Sequence, residues 1–379
     1  MGKVASIHRA QIRYCHVLRV GKGRHTVTQS VEIASGITDI TPQWLTAVLQ
    51  LEGIDAEVET ITTAPIGTGQ IASCYRLGID YLRGTGPESL VAKLPSDDLQ
   101  RRAADAFTYR CEVGFYREAA PHLQVRRPRC YLAALSDSGH EFTLLLEDLS
   151  PAEQGDQING CSVEQARAAM VNLAGLHAPL WCNPSLHDMD WLVPNGADHA
   201  EISAAFYRDA TAKFVDRYQL SDETFALLRD FADHAQMWWE RPARPFALLH
   251  GDYRLDNLLF SEAAGEASVV AVDWQSCSLG NPLRDAAFMI VTGLSVADRR
   301  RAEHDLVNNY WDALEQFGVT EYDRDQCWQD YRHSVFHAPI VTIFGASAAK
   351  PSARGDQMFT VMAERSAAAI ADLDALSSL

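Results

Sequence analysis

A short polar segment between two apolar runs constrains this chain more than any other feature. Residues 248–260 read LLHGDYRLDNLLF, so strand-like apolar residues flank a polar turn. Asp252 and Asn257 stand five positions apart in that turn, and Asp273 follows a second apolar run, VVAV, sixteen positions after Asn257. Phosphoryl transfer needs this set of groups, since one carboxylate accepts a hydroxyl proton while an amide and a second carboxylate hold magnesium.

Length and composition limit the classes of protein to which the chain can belong. A chain of 379 residues suits two lobes, and 47% hydrophobic with 22% charged residues is typical of globular proteins. No apolar run approaches the roughly 18 residues of a membrane span, and the first thirty residues lack a secretory signal. The net charge of −17 argues against a nucleic-acid partner. The eight scattered cysteines predict reduced thiols and a cytoplasmic location.

The order of predicted elements favours an α+β fold. Residues 1–34 match no later pattern and are interpreted as a poorly ordered N-terminal extension. A β-rich lobe over 35–148 then precedes a mainly helical lobe over 149–379. In the first lobe we predict helices at 41–51 and 99–120, and strands at 58–62, 74–79, 89–94, 129–134 and 141–147. In the second lobe we predict helices at 162–181, 200–217, 221–239, 283–295, 298–317, 321–337 and 355–376.

The sequence resembles the aminoglycoside phosphotransferase / choline kinase-like family over about residues 60–295. The resemblance rests on a glycine turn, a strand with Lys93, a helix with Glu112, the segment from His250 to Asn257, and Asp273 in VDWQ. It is nearest to the phosphotransferase-like group related to the kinase-like domains of acyl-CoA dehydrogenase fusions. The resemblance implies a protein-kinase-like two-lobe fold, with a small antiparallel N-terminal β lobe that binds nucleotide and a larger helical catalytic lobe.

The resemblance assigns roles to the polar segment. Asp252 is expected to be the catalytic base, although an aspartate there could simply cap a turn. Asn257 and Asp273 are expected to hold magnesium; otherwise they are a turn residue and a strand-end acid. Arg254 either reaches the γ-phosphate or pairs with Asp256. His250 is a further catalytic candidate that we expect chiefly to brace the loop. Asp285 is expected either to hold the loop from behind or to cap the helix that begins there.

Nucleotide contacts are expected from the first lobe. The resemblance implies that Lys93 contacts the α- and β-phosphates and pairs with a helix glutamate, Glu112 or otherwise Glu118. The alternative is an edge-strand lysine that discourages aggregation. The turn with Gly67, Gly69 and Ser73 would cover the phosphates, although two such glycines alone usually mark a hairpin. At the lobe boundary, Glu147 and Leu149 are further cofactor-binding candidates.

Two departures from regulated protein kinases indicate a small-molecule substrate. Gly251 replaces the arginine before the catalytic aspartate, and Trp274-Gln275 replaces the Phe-Gly of the metal-binding loop. We therefore predict a kinase that uses ATP, with GTP not excluded, and Mg²⁺ to phosphorylate a hydroxyl. The apolar segment around His333, His337 and Ile340 favours a moderately hydrophobic or lipid-derived alcohol. An aminoglycoside antibiotic is the second choice, a pseudokinase scaffold the third, and the oligomeric state is left open.

Overall fold

The structure of the chain is a computed structural model. It describes residues 11–20, 23–67, 71–193, 199–242, 244–263 and 266–379, with side chains from residue 31 onward except those of 263 and 266. The described chain divides into two compact units, the first up to Glu118 with Pro128–Leu149 and the second Ala119–Arg127 with Ser150–Leu379. An antiparallel sheet dominates the first unit and helices dominate the second, so the predicted α+β class is confirmed.

The first unit begins with an antiparallel ribbon to which the sequence analysis assigned no element. Strands β1 (Gln11–Val20) and β2 (Gly23–Glu32) pair along their whole length. Helix α1 (Pro42–Leu51) follows, and the Thr41 hydroxyl caps it by accepting a 3.2 Å hydrogen bond from Trp44 N. The Trp44 indole donates to the carbonyl of Glu32, which ties α1 to the end of the ribbon.

Five antiparallel strands form the main sheet of the first unit, in the order β3-β4-β5-β7-β6. Their ranges are Glu57–Ile66, Ala72–Arg83, Ser89–Pro95, Cys130–Leu135 and Phe142–Glu147 for β3 to β7. In the central strand β5, Leu90, Ala92 and Leu94 are buried in the core against α1. Because side chains alternate along a strand, Lys93 points to the opposite face.

That opposite face is covered by a helical stretch that is broken where the sequence predicted one helix over 99–120. Helix α2 (Leu99–Ala104) is followed by Asp105, which lies between the two helices as the C-cap of α2 and the N-cap of α3 (Ala106–Gly114). Helix α3 continues into a π-helical turn at Phe115–Ala119. Asp105 also lies 3.4 Å from Arg101 at i and i+4. The break places Glu112 of α3 over the sheet.

The second unit consists mainly of helices. Its helices are α4 (Val163–His177), α5 (Ala200–Arg217), α6 (Asp222–Glu240), α7 (Leu283–Gly293), α8 (Val296–Gln316), α9 (Arg324–Ser334), α10 (His337–Ala348) and α11 (Ala353–Asp372). Ser162 and Ser221 cap α4 and α6, since the side chain of each accepts a hydrogen bond from a backbone N–H. The helix predicted over about 321–337 is present as the shorter α9, and α10, which begins at His337, was not predicted.

Short strands frame the polar segment. β8 (Glu153–Gln154), β10 (Leu258–Ala263) and β11 (Glu266–Ala271) form one antiparallel sheet, while β9 (Ala247–Leu249) pairs with β12 (Ser278–Gly280). Beneath them, α7 is buried from Asp285 to Gly293. The loop between β9 and β10 is therefore fixed at both ends. Within the described part of the chain, no helix is long and apolar enough to cross a membrane.

Candidate active site

The polar segment is a tight loop that requires a glycine at its second position. Gly251 adopts φ +80°, and a Cβ atom there would lie 2.1 Å from the carbonyl oxygen of Ser276. An L-residue with a side chain would meet both backbone strain and a clash. This contact gives a physical reason why Gly251 occupies the position where regulated kinases carry arginine.

Asp252 lies at the centre of the loop, with its side chain 24% exposed. One carboxylate oxygen accepts a 2.8 Å hydrogen bond from the Asn257 amide, and the other accepts a 3.0 Å bond from Arg254 Nε. Burial and the nearby charge of Asp273 raise the pKa of Asp252, while Arg254, His250 and Asn257 act against that rise. The net effect is a raised pKa, which strengthens a carboxylate as a proton acceptor.

Asn257 and Asp273 lie beside Asp252, as the spacing predicts. The Asn257 amide also donates to the carbonyl of Asp252 (2.9 Å), and the Asn257 carbonyl accepts from the backbone N–H of Val272 (3.0 Å). These bonds join the loop to the segment that carries Asp273. Asp273 adopts φ +66°, a left-handed conformation that is uncommon for non-glycine residues and is enriched at functional sites.

The donor set is compatible with magnesium only if a phosphate completes the coordination. With its NH₂ group turned to Asp252, Asn257 keeps Oδ1 without a hydrogen-bond partner among the described residues. Asp273 adds a carboxylate close enough to perturb Asp252. No group of three or more carboxylate, imidazole or thiol side chains that could hold a metal forms in the described ranges. Magnesium commonly binds to one or two protein oxygens together with substrate phosphates, and these residues fit that pattern.

Arg254 makes both local ion pairs that its position allows. Its Nε lies 3.0 Å from Asp252 and its Nη1 lies 2.8 Å from Asp256. Pairing with Asp256 was one of the two sequence interpretations, and the other, contact with a γ-phosphate, stays a prediction. Asp256 is shared, because Arg354 of α11 also lies 3.0 Å from it. Arg354, which lies 98 residues after Asp256, thus stabilises the loop through this ion pair.

A buried carboxylate holds the start of the loop. Asp285 is fully buried, and it accepts hydrogen bonds from the backbone N–H groups of His250 (2.6 Å) and Gly251 (3.0 Å). The ring of His177 lies 3.3 Å from the same carboxylate and 2.7 Å from the Tyr310 hydroxyl. Although burial alone would raise the pKa of Asp285, its bond to His177 and the nearby histidines lower it. Of the two roles expected for Asp285, the geometry supports holding the loop.

His250 braces the loop from within. It is fully buried, its Nε2 lies 3.0 Å from the carbonyl of Val272, and its Nδ1 accepts from the backbone N–H of Asp252. Both ring nitrogens are satisfied by backbone groups when the neutral ring carries its proton on Nε2. The bracing role expected for His250 agrees with this geometry, and its place among the catalytic residues stays a prediction.

In the first unit, Lys93 and Glu112 form a buried ion pair. Lys93 Nζ lies 2.6 Å from Glu112 Oε2, with the two side chains 10% and 3% exposed. Because β5 is the central strand of its sheet, the edge-strand alternative for Lys93 is wrong. Glu112, rather than the fallback Glu118, is the partner found here. The contact of Lys93 with phosphates stays a prediction.

The remaining nucleotide candidates of the first unit are only partly described. Gly67 adopts φ +71°, as a glycine turn requires, and Ser73 lies in β4 opposite Leu94, while Gly69 lies outside the described residues. Glu147 ends β7, and its carboxylate accepts a 2.9 Å hydrogen bond from Arg129 N. Leu149 follows it, half-buried. Their roles towards a nucleotide stay predictions.

Sequence reasoning missed several residues that hold the loop from a distance. Gln157 accepts from the backbone N–H of Leu255 (2.9 Å) and donates its own backbone N–H to Asp256 (3.1 Å). Arg354 grips Asp256 from α11, and Tyr310 bonds His177. These partners come from segments far apart in sequence, and none carries a local pattern that could have identified it.

Comparison with known proteins gives the family of the chain. Residues 67–319 match the model of the ecdysteroid kinase-like family, which is more than half of the sequence. The chain therefore belongs to the ecdysteroid kinase-like family, and it is a small-molecule kinase that acts on a hydroxyl group, as predicted. A search of curated protein sequences finds no significant match.

Two solved structures show the same fold. A protein from Ralstonia eutropha, assigned as an aminoglycoside phosphotransferase, has a TM-score of 0.52 and 15% identity, covering 86% of this chain and 97% of its own. The GDP complex of aminoglycoside 2′-phosphotransferase-IIIa has a TM-score of 0.52 and 14% identity, covering 86% and 99%. At these identities the likeness establishes the kinase-like fold alone, which confirms the predicted fold class.

Proposed function

We propose that this chain transfers the γ-phosphoryl group of ATP to the hydroxyl of a small molecule in a magnesium-dependent reaction, with Asp252 as the base. The observation that carries the proposal is the hydrogen-bonded position of Asp252. Asn257 fixes one of its oxygens at 2.8 Å, and Asp273 lies close enough to raise its pKa. A loop carboxylate with these neighbours is suited to taking a proton at the moment of phosphoryl transfer.

In the proposed reaction the Asp252 carboxylate accepts the proton of the acceptor hydroxyl. The acceptor oxygen forms a bond to the γ-phosphorus, the bond to the β–γ bridging oxygen breaks, and ADP leaves. Asn257 and Asp273 would hold the magnesium, which supplies positive charge against the phosphate oxygens. Asp285 and His250 keep the loop in place while this occurs. We propose that Lys93, paired with Glu112, contacts the α- and β-phosphates.

We also propose which part of the chain binds the nucleotide and which part carries catalysis. Residues 35–148 would bind the nucleotide and 149–379 would carry catalysis and the acceptor, after an extension at 1–34. Gly67, Gly69, Ser73, Glu147 and Leu149 are proposed as nucleotide contacts. GTP remains an alternative donor, since one protein of this fold is known in complex with GDP. We also propose a cytoplasmic location, which the free thiols of the described cysteines support, and kinship with the acyl-CoA dehydrogenase-linked group.

For the acceptor we propose a moderately hydrophobic alcohol. Ile202 and Phe206 of α5 are 71% and 59% exposed, and the Phe206 ring lies 5.4 Å from that of Phe344 in α10. Exposed apolar groups of this kind suit an apolar substrate better than an amino sugar. An aminoglycoside remains the second candidate because the fold is shared with a phosphotransferase for such compounds.

The deciding experiment measures ADP release with ATP, magnesium and a panel of aminoglycosides, choline, sterols and hydroxyacyl compounds. We expect turnover of an apolar alcohol that falls by about 10²- to 10⁴-fold in Asp252→Asn, since removal of a general base costs that much. Turnover confined to aminoglycosides would refute the apolar acceptor. Undiminished turnover by Asp252→Asn would refute the base, and nucleotide binding without any turnover would favour a pseudokinase.

A further inference from the structure

An arginine at the start of α7 lacks an acidic hydrogen-bond partner. The guanidinium of Arg284 forms no hydrogen bond or ion pair with any residue that the structure describes, and only its backbone N–H is bonded, to the carbonyl of Asn281. Its guanidinium carbon instead lies 4.2 Å from the centre of the Trp238 ring. Burial lowers the pKa of Arg284 to about 10, although the charge of Asp285 opposes that change. Arg284 is only partly buried, but even a partly desolvated charge without a bonded counter-charge is costly, so this arrangement suggests that a ligand supplies the counter-charge.

Unsatisfied polar atoms lie around the same indole ring. Two of them, His333 Nδ1 and His337 Nε2, are buried and without a hydrogen-bond partner among the described residues. The rings of His333 and His337 lie nearly parallel to that of Trp238, at 6.2 and 6.3 Å between centroids. Buried polar atoms normally find partners, so several unsatisfied ones together mark a place where a polar group is missing. We call Trp238, Arg284, His333 and His337 the Trp238 cluster.

The Trp238 cluster adjoins the loop of Asp252. The backbone of Gly251, the residue before Asp252, lies against the ring of His337 and acts on its pKa. Arg284 directly precedes Asp285, whose carboxylate holds the N–H groups of His250 and Gly251. A ligand group bound at the cluster would therefore lie next to the loop on which the proposed base is placed.

Apolar rings flank the cluster and its net charge is small. The Phe288 ring lies 5.9 Å from that of His337. Burial and the neighbouring arginines lower the pKa of His333 to about 3, and burial and Arg284 lower that of His337 to about 4. Both histidines are thus neutral near neutral pH, which leaves Arg284 as the one charged member of the Trp238 cluster. Arg241, the other arginine that acts on His333, lies 3.7 Å from Asp330. One cationic fork with neutral neighbours matches a planar monoanion better than a dianion.

We propose that the Trp238 cluster binds a carboxylate group of the acceptor, so that the substrate is a hydroxy acid with an apolar chain. The Arg284 fork would bind both carboxylate oxygens, and the hydroxyl at the far end of the chain would be offered to Asp252. The proposal rests on the phosphotransferase function above and narrows its substrate class. In a chain of net charge −17, an anionic substrate needs a dedicated cation, and Arg284 supplies it.

The first test is direct binding, which does not depend on turnover. Hexanoate and its neutral counterpart hexanamide are titrated into the full chain by isothermal titration calorimetry. We expect hexanoate to bind about ten- to a hundredfold more tightly, as a charge-assisted hydrogen-bond pair implies, and Arg284→Gln to abolish the difference. Arg208→Gln is the control, because Arg208 lies on the surface of α5, 3.6 Å from Asp233 of α6. This variant should still bind hexanoate more tightly than hexanamide. Equal binding of both ligands, or tighter binding of inorganic phosphate, overturns the carboxylate site.

The second test is turnover of 6-hydroxyhexanoate against its methyl ester. The wild type should show a lower KM for the acid, and Arg284→Gln should raise that KM about ten- to a hundredfold with little change in kcat. Turnover of both compounds with equal KM would overturn the subsite and leave the kinase function standing. Arg284-dependent hexanoate binding without turnover of any alcohol would instead refute the kinase function and leave the carboxylate site standing.

Thermal unfolding separates a binding role of Arg284 from a structural one. Because its charge is desolvated without a bonded acid, Arg284→Gln should leave the unfolding midpoint unchanged or raise it. A lower midpoint would show that the arginine supports the fold, which overturns the proposal. Arg284→Lys provides a second variant that keeps the charge and loses the planar fork. It should bind hexanoate with intermediate affinity, whereas affinity equal to that of Arg284→Gln would contradict the single-charge argument.

Discussion

Replacing Asp285 by asparagine tests whether the buried acid holds the loop of Asp252. The carboxylate is fully buried and faces three nitrogens, His250 N at 2.6 Å, Gly251 N at 3.0 Å and His177 Nε2 at 3.3 Å. An asparagine has nearly the same shape but only one accepting oxygen. Whichever way the amide is turned, its NH₂ group faces a backbone N–H, and at least one buried donor loses its acceptor.

The cost follows from the bonds that are lost. A buried donor left unsatisfied costs about 1–3 kcal/mol, and a hydrogen bond to a charged group contributes about 1.5–3 kcal/mol. We therefore expect Asp285→Asn to lower the free energy of unfolding by about 2–4 kcal/mol. Urea denaturation monitored by circular dichroism would measure it as a lower midpoint with an unchanged slope. Turnover by the folded fraction should also fall, because His250 and Gly251 position the proposed base.

A surface acid provides the control. Asp209 lies 2.6 Å from Lys213 with both side chains mostly exposed, so Asp209→Asn should change the free energy of unfolding by at most about 0.5 kcal/mol. If Asp285→Asn were as stable as Asp209→Asn, the three bonds would contribute nothing measurable. The account of how the loop is held would then be wrong.

Three further variants test other parts of the structure by urea denaturation. Gly251→Ala should cost about 2–4 kcal/mol, roughly twice the 1–2 kcal/mol expected for Gly318→Ala. Gly318 has φ +102° but no atom within 4 Å of its added Cβ, so equal costs would rule out the clash at Gly251. Lys93→Met should lower the free energy of unfolding by about 3–5 kcal/mol, because Glu112, a residue that is 2% exposed, loses the ammonium group that pairs with its carboxylate. Adding Glu112→Gln to Lys93→Met should restore part of this loss. Further destabilisation by the second change would contradict the explanation. Burial lowers the pKa of His337 from 6.5 in the unfolded chain to about 4. Between these two values the unfolded state binds more protons than the folded state. The free energy of unfolding should therefore decrease as the pH is lowered below about 6.5, by up to about 1.4 kcal/mol per pH unit. His337→Gln should flatten this dependence, and an unchanged slope would show that His337 does not cause it.

Local patterns in the sequence predicted the elements that build each unit. Thr41 and Pro42 mark the start of α1, and the apolar run around Lys93 marks the central strand β5. The spacing of Asp252 and Asn257 predicted that their side chains meet, and a 2.8 Å hydrogen bond joins them. Such features depend on neighbours in sequence, and for that reason one sequence was enough to find them.

Features that depend on distant partners could not be predicted in this way. Arg354 and Asp256, which form an ion pair, are 98 residues apart in sequence. No residue near Arg354 distinguishes it from any other arginine at the start of a helix. Helix α10 was missed because HAPIVTIFGASA has no polar stripe to reveal a helical period. The ribbon of β1 and β2 was missed although polar and apolar residues alternate in QIRYCHVLRV, because residues 1–34 match no later pattern and were interpreted as an extension.

The bond between Asp256 and Arg354 bears on the order in which the chain acquires its final form during synthesis. Ribosomes release the loop residues well before α11, so in a nascent chain the carboxylate of Asp256 is held by Arg254 and Gln157 until Arg354 has emerged. Fragments that end before α11 would lack the bond between Asp256 and Arg354 permanently. Attempts to reduce the protein to a minimal catalytic piece should therefore retain this helix, even though it lies outside the segment that matches the family.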